Sequence, residues 1–342
     1  MIIRSKAPLR LGLAGGGTDV SPYCDKYGGA ILNMTINMYA YCTIKPTENC
    51  KIIFKADDIG IQEEFDSVSQ LEYKKLKLHA GVYNRIIKDY NDNQPLSFEM
   101  ITYCDAPVGS GLGSSSTMVV AIIKSFVEWL NLPLSEYDIA YLAYKIERED
   151  LGLSGGKQDQ FAATFGGFNY MEFYDNMKVI VNPLKIKRWI KNELEDSLIL
   201  YYTGTSRESA KIIDDQIKNV KKDSSNSLSP MHELKTQAVE MKNYILTGDF
   251  NGIAKCLKKG WESKKETSLF VSNKEIDNLY EYILNNGGKA AKISGAGGGG
   301  FMMILCKPEQ RYLLVKKLRK YNGTVLLPQF VDIGAQAWII RE

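Results

Sequence analysis

The sequence predicts a two-domain α+β protein, and three observations carry that prediction. The chain has 342 residues, more than a single hydrophobic core usually spans. Strand-like runs alternate with helical stripes through its first half. After Tyr202 the pattern changes to four helix-like segments in succession before strands return. A boundary within residues 170–190 divides the expected domains into 1–180 and 181–342.

Taken in order, Ile2–Leu13 alternates apolar and basic residues and runs into Gly15-Gly16-Gly17-Thr18-Asp19, a strand entering a tight loop. Ala30–Ile44, rich in Ile, Met, Tyr and Thr, and Lys51–Lys55 read as strands. His79–Tyr90 places Val82, Tyr83, Ile86, Ile87 and Tyr90 on one helical face, and Leu96–Tyr103 is a strand. Next comes Pro107-Val108-Gly109-Ser110-Gly111-Leu112-Gly113-Ser114-Ser115-Ser116, followed by the apolar run Met118–Val127 of a helix. Ser135 caps a second helix, with Glu136 in its first turn and Ile139, Leu142, Ala143 and Ile146 as its stripe. That helix ends near Glu147-Arg148-Glu149-Asp150. A glycine-flanked turn, Gly155-Gly156-Lys157-Gln158-Asp159-Gln160, leads into a short helix, Phe161–Phe165, closed by Gly166-Gly167.

In the second half Ser197–Tyr202 reads as a strand. Ser206–Val220, Met231–Leu246, Asn251–Lys264 and Asn273–Asn286 read as helices, and the polar, Ser-rich Lys221–Pro230 as a loop. Strands Lys289–Ser294 and Phe301–Cys306 flank the glycine loop Gly295–Gly300. A helix, Glu309–Tyr321, and two strands finish the chain.

Composition narrows the function. Apolar residues make up 44% and charged residues 24%, as in a soluble globular protein. A net charge of +3 is too small to argue for nucleic acid, and the lysines at 74, 75, 77, 221, 222, 258 and 259 read as solvated faces. Cys24, Cys42, Cys50, Cys104, Cys256 and Cys306 form no CxxC pair, which disfavours a zinc or redox site. No segment resembles a secretory signal, and no apolar run approaches membrane-spanning length. The expectation is a reduced, cytoplasmic enzyme with no membrane partner. His79 and His232 are the only histidines, and both lie in segments that read as ordinary amphipathic helices.

Three glycine clusters carry the chemical signal. In Gly109–Ser116, glycines leave the main chain open to a ligand, and a helix start adds unpaired N–H groups and the positive end of a dipole. Such a cradle suits phosphate, although a plain turn explains the same residues. It is no P-loop, because no Gly-Lys-Ser/Thr follows, so its counter-charge has to come from elsewhere in the fold. Gly295, Gly297 and Gly300 spell GxGxxG, but a strand-like run follows where a dinucleotide motif needs a helix. A tight hairpin needs fewer glycines than this, which favours close approach to a ligand. Gly152-Leu153-Ser154-Gly155-Gly156 matches a nucleophile elbow in letters only: a helix precedes it and His232 is the only downstream histidine.

Carboxylates complete the set. Glu147, Glu149 and Asp159 gather around a glycine turn, where acids at a helix C-terminus hint at a cation such as magnesium. Asp159 is placed to orient or accept a hydroxyl proton. Asp19 is either an acceptor for sugar hydroxyls or a helix cap.

Three segments in order, Ala7–Asp19, Pro107–Ser116 and Lys292–Gly300, resemble the three motifs of the GHMP small-molecule kinases. The resemblance implies an N-terminal ATP-binding domain like ribosomal protein S5 domain 2 and a ferredoxin-like C-terminal domain. It implies ATP along Pro107, Gly109, Ser110, Gly111, Leu112, Gly113, Ser114, Ser115 and Ser116. Asp159 matches the catalytic aspartate and Arg10 its basic partner; Glu147 and Ser115, with Ser114 as the alternative serine, match the Mg2+ ligands. Gly16, Gly17, Thr18 and Asp19 would face the sugar, and Gly297 and Gly298 would close over the transfer site. Lys157 and Arg207 are candidates for a phosphate on the substrate, with surface charge as the plainer explanation.

The first motif lacks the Glu-His pair of galactokinase-like members, which argues against galactose. The full pattern implies transfer of the ATP γ-phosphoryl to the anomeric hydroxyl of D-glycero-D-manno-heptose 7-phosphate. The product would be the 1,7-bisphosphate, used in nucleotide-activated heptose synthesis for surface polysaccharide. L-Fucose is the alternative acceptor, and a non-catalytic nucleic-acid-binding protein the remote alternative. The implied partners are ATP and a sugar phosphate, with no nucleic acid; a homodimer is left open.

Overall fold

Two sheets organise the chain. The computed structural model describes residues 1–204, 209–222, 225–321 and 323–341. The first sheet holds β1 (Ile2–Ala14), β2 (Gly29–Pro46), β3 (Lys51–Ala56), β4 (Ile61–Asp66), β5 (Phe98–Cys104), β6 (Phe168–Phe173) and β7 (Val179–Pro183). The second holds β8 (Leu198–Tyr202), β9 (Gly288–Ile293), β10 (Phe301–Cys306) and β11 (Thr324–Leu326), and the last strand, β12 (Gln336–Ile340), crosses back to pair with β1. The helices are α1 (Tyr23–Tyr27), α2 (Lys77–Tyr90), α3 (Ser114–Leu130), α4 (Glu136–Lys145), α5 (Gln158–Phe165), α6 (Arg188–Ser197), α7 (Ser209–Lys221), α8 (Ser225–Thr247), α9 (Phe250–Thr267), α10 (Lys274–Asn285) and α11 (Pro308–Leu318).

The first sheet runs β12-β1-β2-β5-β3-β4, with β6 and β7 continuing from the far half of the long strand β2. Its pairs are antiparallel except β3 with β5, which α2 connects from one side. The two halves of β1 bury against different layers. Ile3 and Ala7 join the core under α2 and α3; Leu9, Leu11 and Leu13 face a second core shared with α8, α9 and the other sheet. Register shifts between Pro8 and Arg10 and between Gly12 and Ala14 break the ladder beside β2. Bulges of this kind re-aim side chains next to sites, and here they bracket Arg10.

The second sheet runs β11-β8-β10-β9, all antiparallel. In chain order that is 4-1-3-2, the strand order of a ferredoxin-like fold. Four helices, α7–α10, fill the first crossover where one would suffice, and α11 makes the second. The sheets part after β7, while β12 sits with the first sheet. The C-terminal residues are thus exchanged back across the expected 1–180 and 181–342 division.

Several expectations need correction. Lys221–Pro230 reads as a loop, yet α8 starts at Ser225 and carries Pro230 inside it. Serine and asparagine lower helix propensity, but Met231 and Leu234 pack on Tyr23 and Val220, so tertiary burial overrides it. Strands β4, β6 and β7 and helices α1 and α6 were not anticipated. β6 is buried on both faces, which removes the alternation that marks a strand.

Ser135 caps α4 as expected: its hydroxyl accepts from the Asp138 N–H, and the Asp138 carboxylate accepts from Ser135 N. Replacing Ser135 by Ala is expected to cost about 1 kcal/mol, read as a lower urea midpoint at unchanged m-value. Ser135→Asp should restore most of it, and an unchanged midpoint in Ser135→Ala would contradict the assignment.

Candidate active site

One cleft of about 700 Å³ collects all three glycine clusters. Its floor begins at Arg10, which is 5% exposed on β1. The Arg10 Nε donates to Asp159 Oδ1 at 2.7 Å, and a second guanidinium nitrogen reaches the same oxygen at 2.7 Å. Its third nitrogen donates to the Gly111 carbonyl at 2.6 Å, and the Arg10 amide donates to the Leu112 carbonyl at 3.1 Å. One arginine thus ties β1, the serine-glycine loop and the first turn of α5 together. Charge-assisted bonds of this type are among the stronger polar contacts available.

The serine-glycine loop alternates in space as it does in sequence. Gly109, Gly111 and Gly113, with φ of 75°, 79° and 79°, line the cleft. Ser110 and Leu112 turn inward and are fully buried, and Pro107 closes the loop by accepting from the Ser110 amide at 3.1 Å. Gly111 is required twice over. Its φ is left-handed, and a Cβ there would stand 2.4 Å from the Ser294 carbonyl oxygen. The third glycine loop therefore lies backbone to backbone on the second, and the Phe301 amide donates to the Ser110 carbonyl at 2.9 Å.

Glu147 is reached by an irregular helix. α4 passes without a break into a π-helical turn, Ile146–Asp150, a feature frequent at functional sites. The extra residue per turn separates the acids. Glu147 is 1% exposed and faces the cleft, Glu149 faces solvent, and Asp150 pairs with Arg85. The expected grouping of Glu147 with Glu149 is thus not formed. Gln160 donates to Glu147 Oε2, and the Ser115 hydroxyl lies 3.4 Å from Glu147 Oε1. Ser115 is the exposed serine at the start of α3, with Ser114 and Ser116 buried beside it. A carboxylate at this helix N-terminus is favoured by the dipole.

Asp19 also lines the cleft. It is 5% exposed, and the Gln158 amide donates to its Oδ2 at 2.9 Å. Gly156 makes this approach possible, because a Cβ there would overlap Asp19 Oδ2 at 1.9 Å. Gly16 and Gly17 line the same wall.

Other expected residues lie elsewhere. Thr18 is fully buried; its hydroxyl bonds Gly15 and Ala30 and locks the turn, so it does not face the cleft. Lys157 is 1% exposed and turned away, with Nζ 3.5 Å from Cys24 Sγ and 3.6 Å from Asp25. Gly297 and Gly298 pack on Val271, whose carbonyl accepts from the Gly298 amide at 2.7 Å; Gly295 and Ala296 line the cleft instead. Arg207 lies outside the described residues.

Three cations were not singled out as site residues from the sequence. Arg148 lines the cleft next to Glu147 and donates to the Leu153 and Gly156 carbonyls at 3.3 Å each. Lys264, in the last turn of α9, and Lys292, on β9, also line it. Burial pulls Lys264 down to about 8 against the opposing pull of Asp19, and pulls Lys292 down to about 7 with Lys264 adding to the effect. Lys292 stands three positions before Gly295 of the third glycine cluster, the one signal that could have found it. Lys264 carries no local motif and looks like any helix-terminal lysine.

The chain is similar to known proteins along its whole length. The family described as GHMP kinases N terminal domain matches residues 77–167, and GHMP kinases C terminal matches residues 241–323. The D-glycero-alpha-D-manno-heptose 7-phosphate kinase of Campylobacter jejuni is 51% identical over 99% of both chains. A crystal structure titled D-glycero-D-manno-heptose 1-phosphate kinase, from Bacteroides thetaiotaomicron, superposes with a TM-score of 0.86 at 49% identity, covering 99% of this chain and 100% of that one. The L-fucokinase/L-fucose-1-P guanylyltransferase of Bacteroides fragilis is 25% identical over 97% of this chain and 37% of its own length.

Because Gly111 has both a left-handed φ and a carbonyl in its Cβ position, Gly111→Ala is expected to cost roughly 2 kcal/mol or more. Urea unfolding measures it, and a variant as stable as the parent would mean the two loops do not meet as described.

Proposed function

The chain belongs to the GHMP kinase family, and from that premise we propose that it transfers the γ-phosphoryl of ATP to the anomeric hydroxyl of D-glycero-D-manno-heptose 7-phosphate. The observation that carries this reading is Asp159, fixed by Arg10 at 2.7 Å beneath two glycine loops and next to Gln158, whose amide binds Asp19. Phosphoryl transfer passes through a loose transition state and needs positioning and charge neutralisation above all. The glycine backbone at Gly109, Gly111 and Gly113 and the start of α3 cradle the ATP phosphates. Asp159, held by the Arg10 guanidinium, orients the acceptor hydroxyl. Asp19 takes sugar hydroxyls, with Gly16 and Gly17 leaving the ring room.

The residues present fit Mg2+, which takes one or two protein oxygens and completes its shell with phosphate and water. Glu147 and the exposed Ser115 hydroxyl, 3.4 Å apart at the mouth of α3, offer two hard oxygen donors on the ATP side. Bound there, the ion would neutralise charge on the ATP phosphates. Gln160, bonded to both Glu147 and Ser116, holds the carboxylate in place.

The heptose acceptor is supported by the 51% identical relative, whereas the fucokinase relative is far more distant. Carboxylates at 19, 147 and 159 in the cleft disfavour a nucleic-acid backbone as ligand. Six free cysteines suit the reducing cytoplasm, where we place the enzyme. No described helix is long and apolar enough to cross a membrane.

A screen of ADP release with Mg-ATP over heptose 7-phosphate, heptose, L-fucose and other hexoses tests the acceptor. Heptose 7-phosphate should give the highest kcat/KM; preference for an unphosphorylated sugar would overturn this acceptor. Asp159→Asn is expected to lower kcat about 100-fold or more with KM changed far less, and near-normal turnover would contradict its role. Glu147→Gln should raise the Mg2+ concentration for half-maximal rate roughly tenfold, measured at saturating ATP. An unshifted Mg2+ dependence would remove Glu147 from the metal site.

A further inference from the structure

Two lysines reach the cleft with no carboxylate partner. Lys264 and Lys292 are 6% and 9% exposed. The Lys264 ammonium donates to the Gly16 carbonyl at 2.8 Å, and the Lys292 ammonium to the Gly12 and Leu13 carbonyls at 3.1 Å and 3.4 Å. Neither forms an ion pair among the described residues. Buried charges are normally paired, because neutral carbonyls alone replace their hydration poorly. The charged and titratable groups acting on Lys264 are Asp19 and Arg10; those acting on Lys292 are Lys264, Cys256 and Arg10. Asp19 is already committed to the Gln158 amide and Asp159 to Arg10. Three cations thus stand along β1 and its turn against two engaged carboxylates, an imbalance that a phosphate corrects.

Position separates the two lysines. Lys292 is seated on Gly12 and Leu13, next along β1 from Arg10 and the transfer centre. Lys264 is seated past the end of that strand, beside Asp19. Its ammonium is 3.1 Å from where a Gly17 Cβ would stand, and Gly16 has open space at its own Cβ position. A sugar with its anomeric hydroxyl at Asp159 and its ring at Asp19 carries its far end towards Lys264.

We propose that Lys264 is the specificity-determining residue that binds the terminal phosphate of the sugar-phosphate acceptor, while Lys292 faces the phosphoryl group in transfer. This rests on the sugar-kinase reading above. Both lysines, drawn down to about 8 and about 7 in the protein alone, regain their protons against a phosphate. Acceptor binding therefore takes up protons at about pH 8, and affinity falls as pH rises through that region.

The test compares Lys264→Met with the parent on D-glycero-D-manno-heptose 7-phosphate and on the same sugar without phosphate. KM should rise roughly 30-fold for the phosphorylated sugar and less than about threefold for the other, with Lys264→Gln giving the same split. Removing a partner-poor buried charge should leave Tm within about 2 °C of the parent, where a bracing lysine would lower it. Calorimetry in two buffers of different ionisation enthalpy should show fewer protons taken up by the variant on binding heptose 7-phosphate. Equal losses on both sugars, or an unchanged KM for the phosphorylated one, would overturn the proposal. If the parent turns over only unphosphorylated sugars, the acceptor assignment fails. The subsite is then judged by calorimetry with inorganic phosphate: binding weakened by Lys264→Met supports it, and no binding to the parent overturns it.

Discussion

The rest of the site depends on the Arg10–Asp159 pair. It is the contact at which β1, the serine-glycine loop and α5 meet, and each partner is positioned by something the other does not supply. Arg10 is aimed by the bulges in β1. Asp159 is aimed by the turn that Gly156 and Asp19 allow. Break the pair and a buried guanidinium loses its counter-charge, the Gly111 carbonyl loses a positioned donor, and the carboxylate in the cleft loses its orientation. A structural and a functional demand are met by one interaction.

A second constraint is charge. A glycine-lined cleft without a P-loop lysine draws its cations from elsewhere, and the fold brings two of them from the second sheet and a helix packed with it. Lys264 and Lys292 come from α9 and β9 and end on main-chain carbonyls of the first motif. The core formed by Leu9, Leu11 and Leu13 with α8, α9, β8 and β10 lies beneath this contact and holds the sheets together. Packing between the sheets is therefore also what delivers positive charge to the cleft. Burial keeps those ammonium groups poised near neutrality, so that a ligand phosphate has much to offer them.

Much of this was legible in the sequence, for identifiable reasons. Long periodic helices such as α2 and α10, and strands bounded by glycine such as β9 and β10, carry their signal locally. So did Ser135, whose cap needs only its own turn. The three glycine clusters announced a ligand because their composition exceeds what a turn requires. Strand β6 hid because both of its faces are buried, and α8 began early because burial overrode a polar start. Within the site, Lys157 misled because proximity in sequence to Asp159 does not fix direction: the chain turns at Gly156 and sends the two side chains opposite ways. Thr18 misled because its hydroxyl is consumed by the turn it sits in. Lys264 was unreadable because its significance comes from a residue 248 positions away, Gly16. Local pattern reports elements and loops; it does not report which distant cation a fold will place over them.

The central claim is a phosphoryl transfer from ATP to one hydroxyl of one class of sugar phosphate. Phosphorus NMR of the enzyme with Mg-ATP and D-glycero-D-manno-heptose 7-phosphate tests it most directly. The account predicts loss of the γ-phosphorus signal matched by a new signal coupled to the anomeric proton, while the 7-phosphate signal persists. Growth of inorganic phosphate alone, or a new phosphoester on any other carbon, would contradict it.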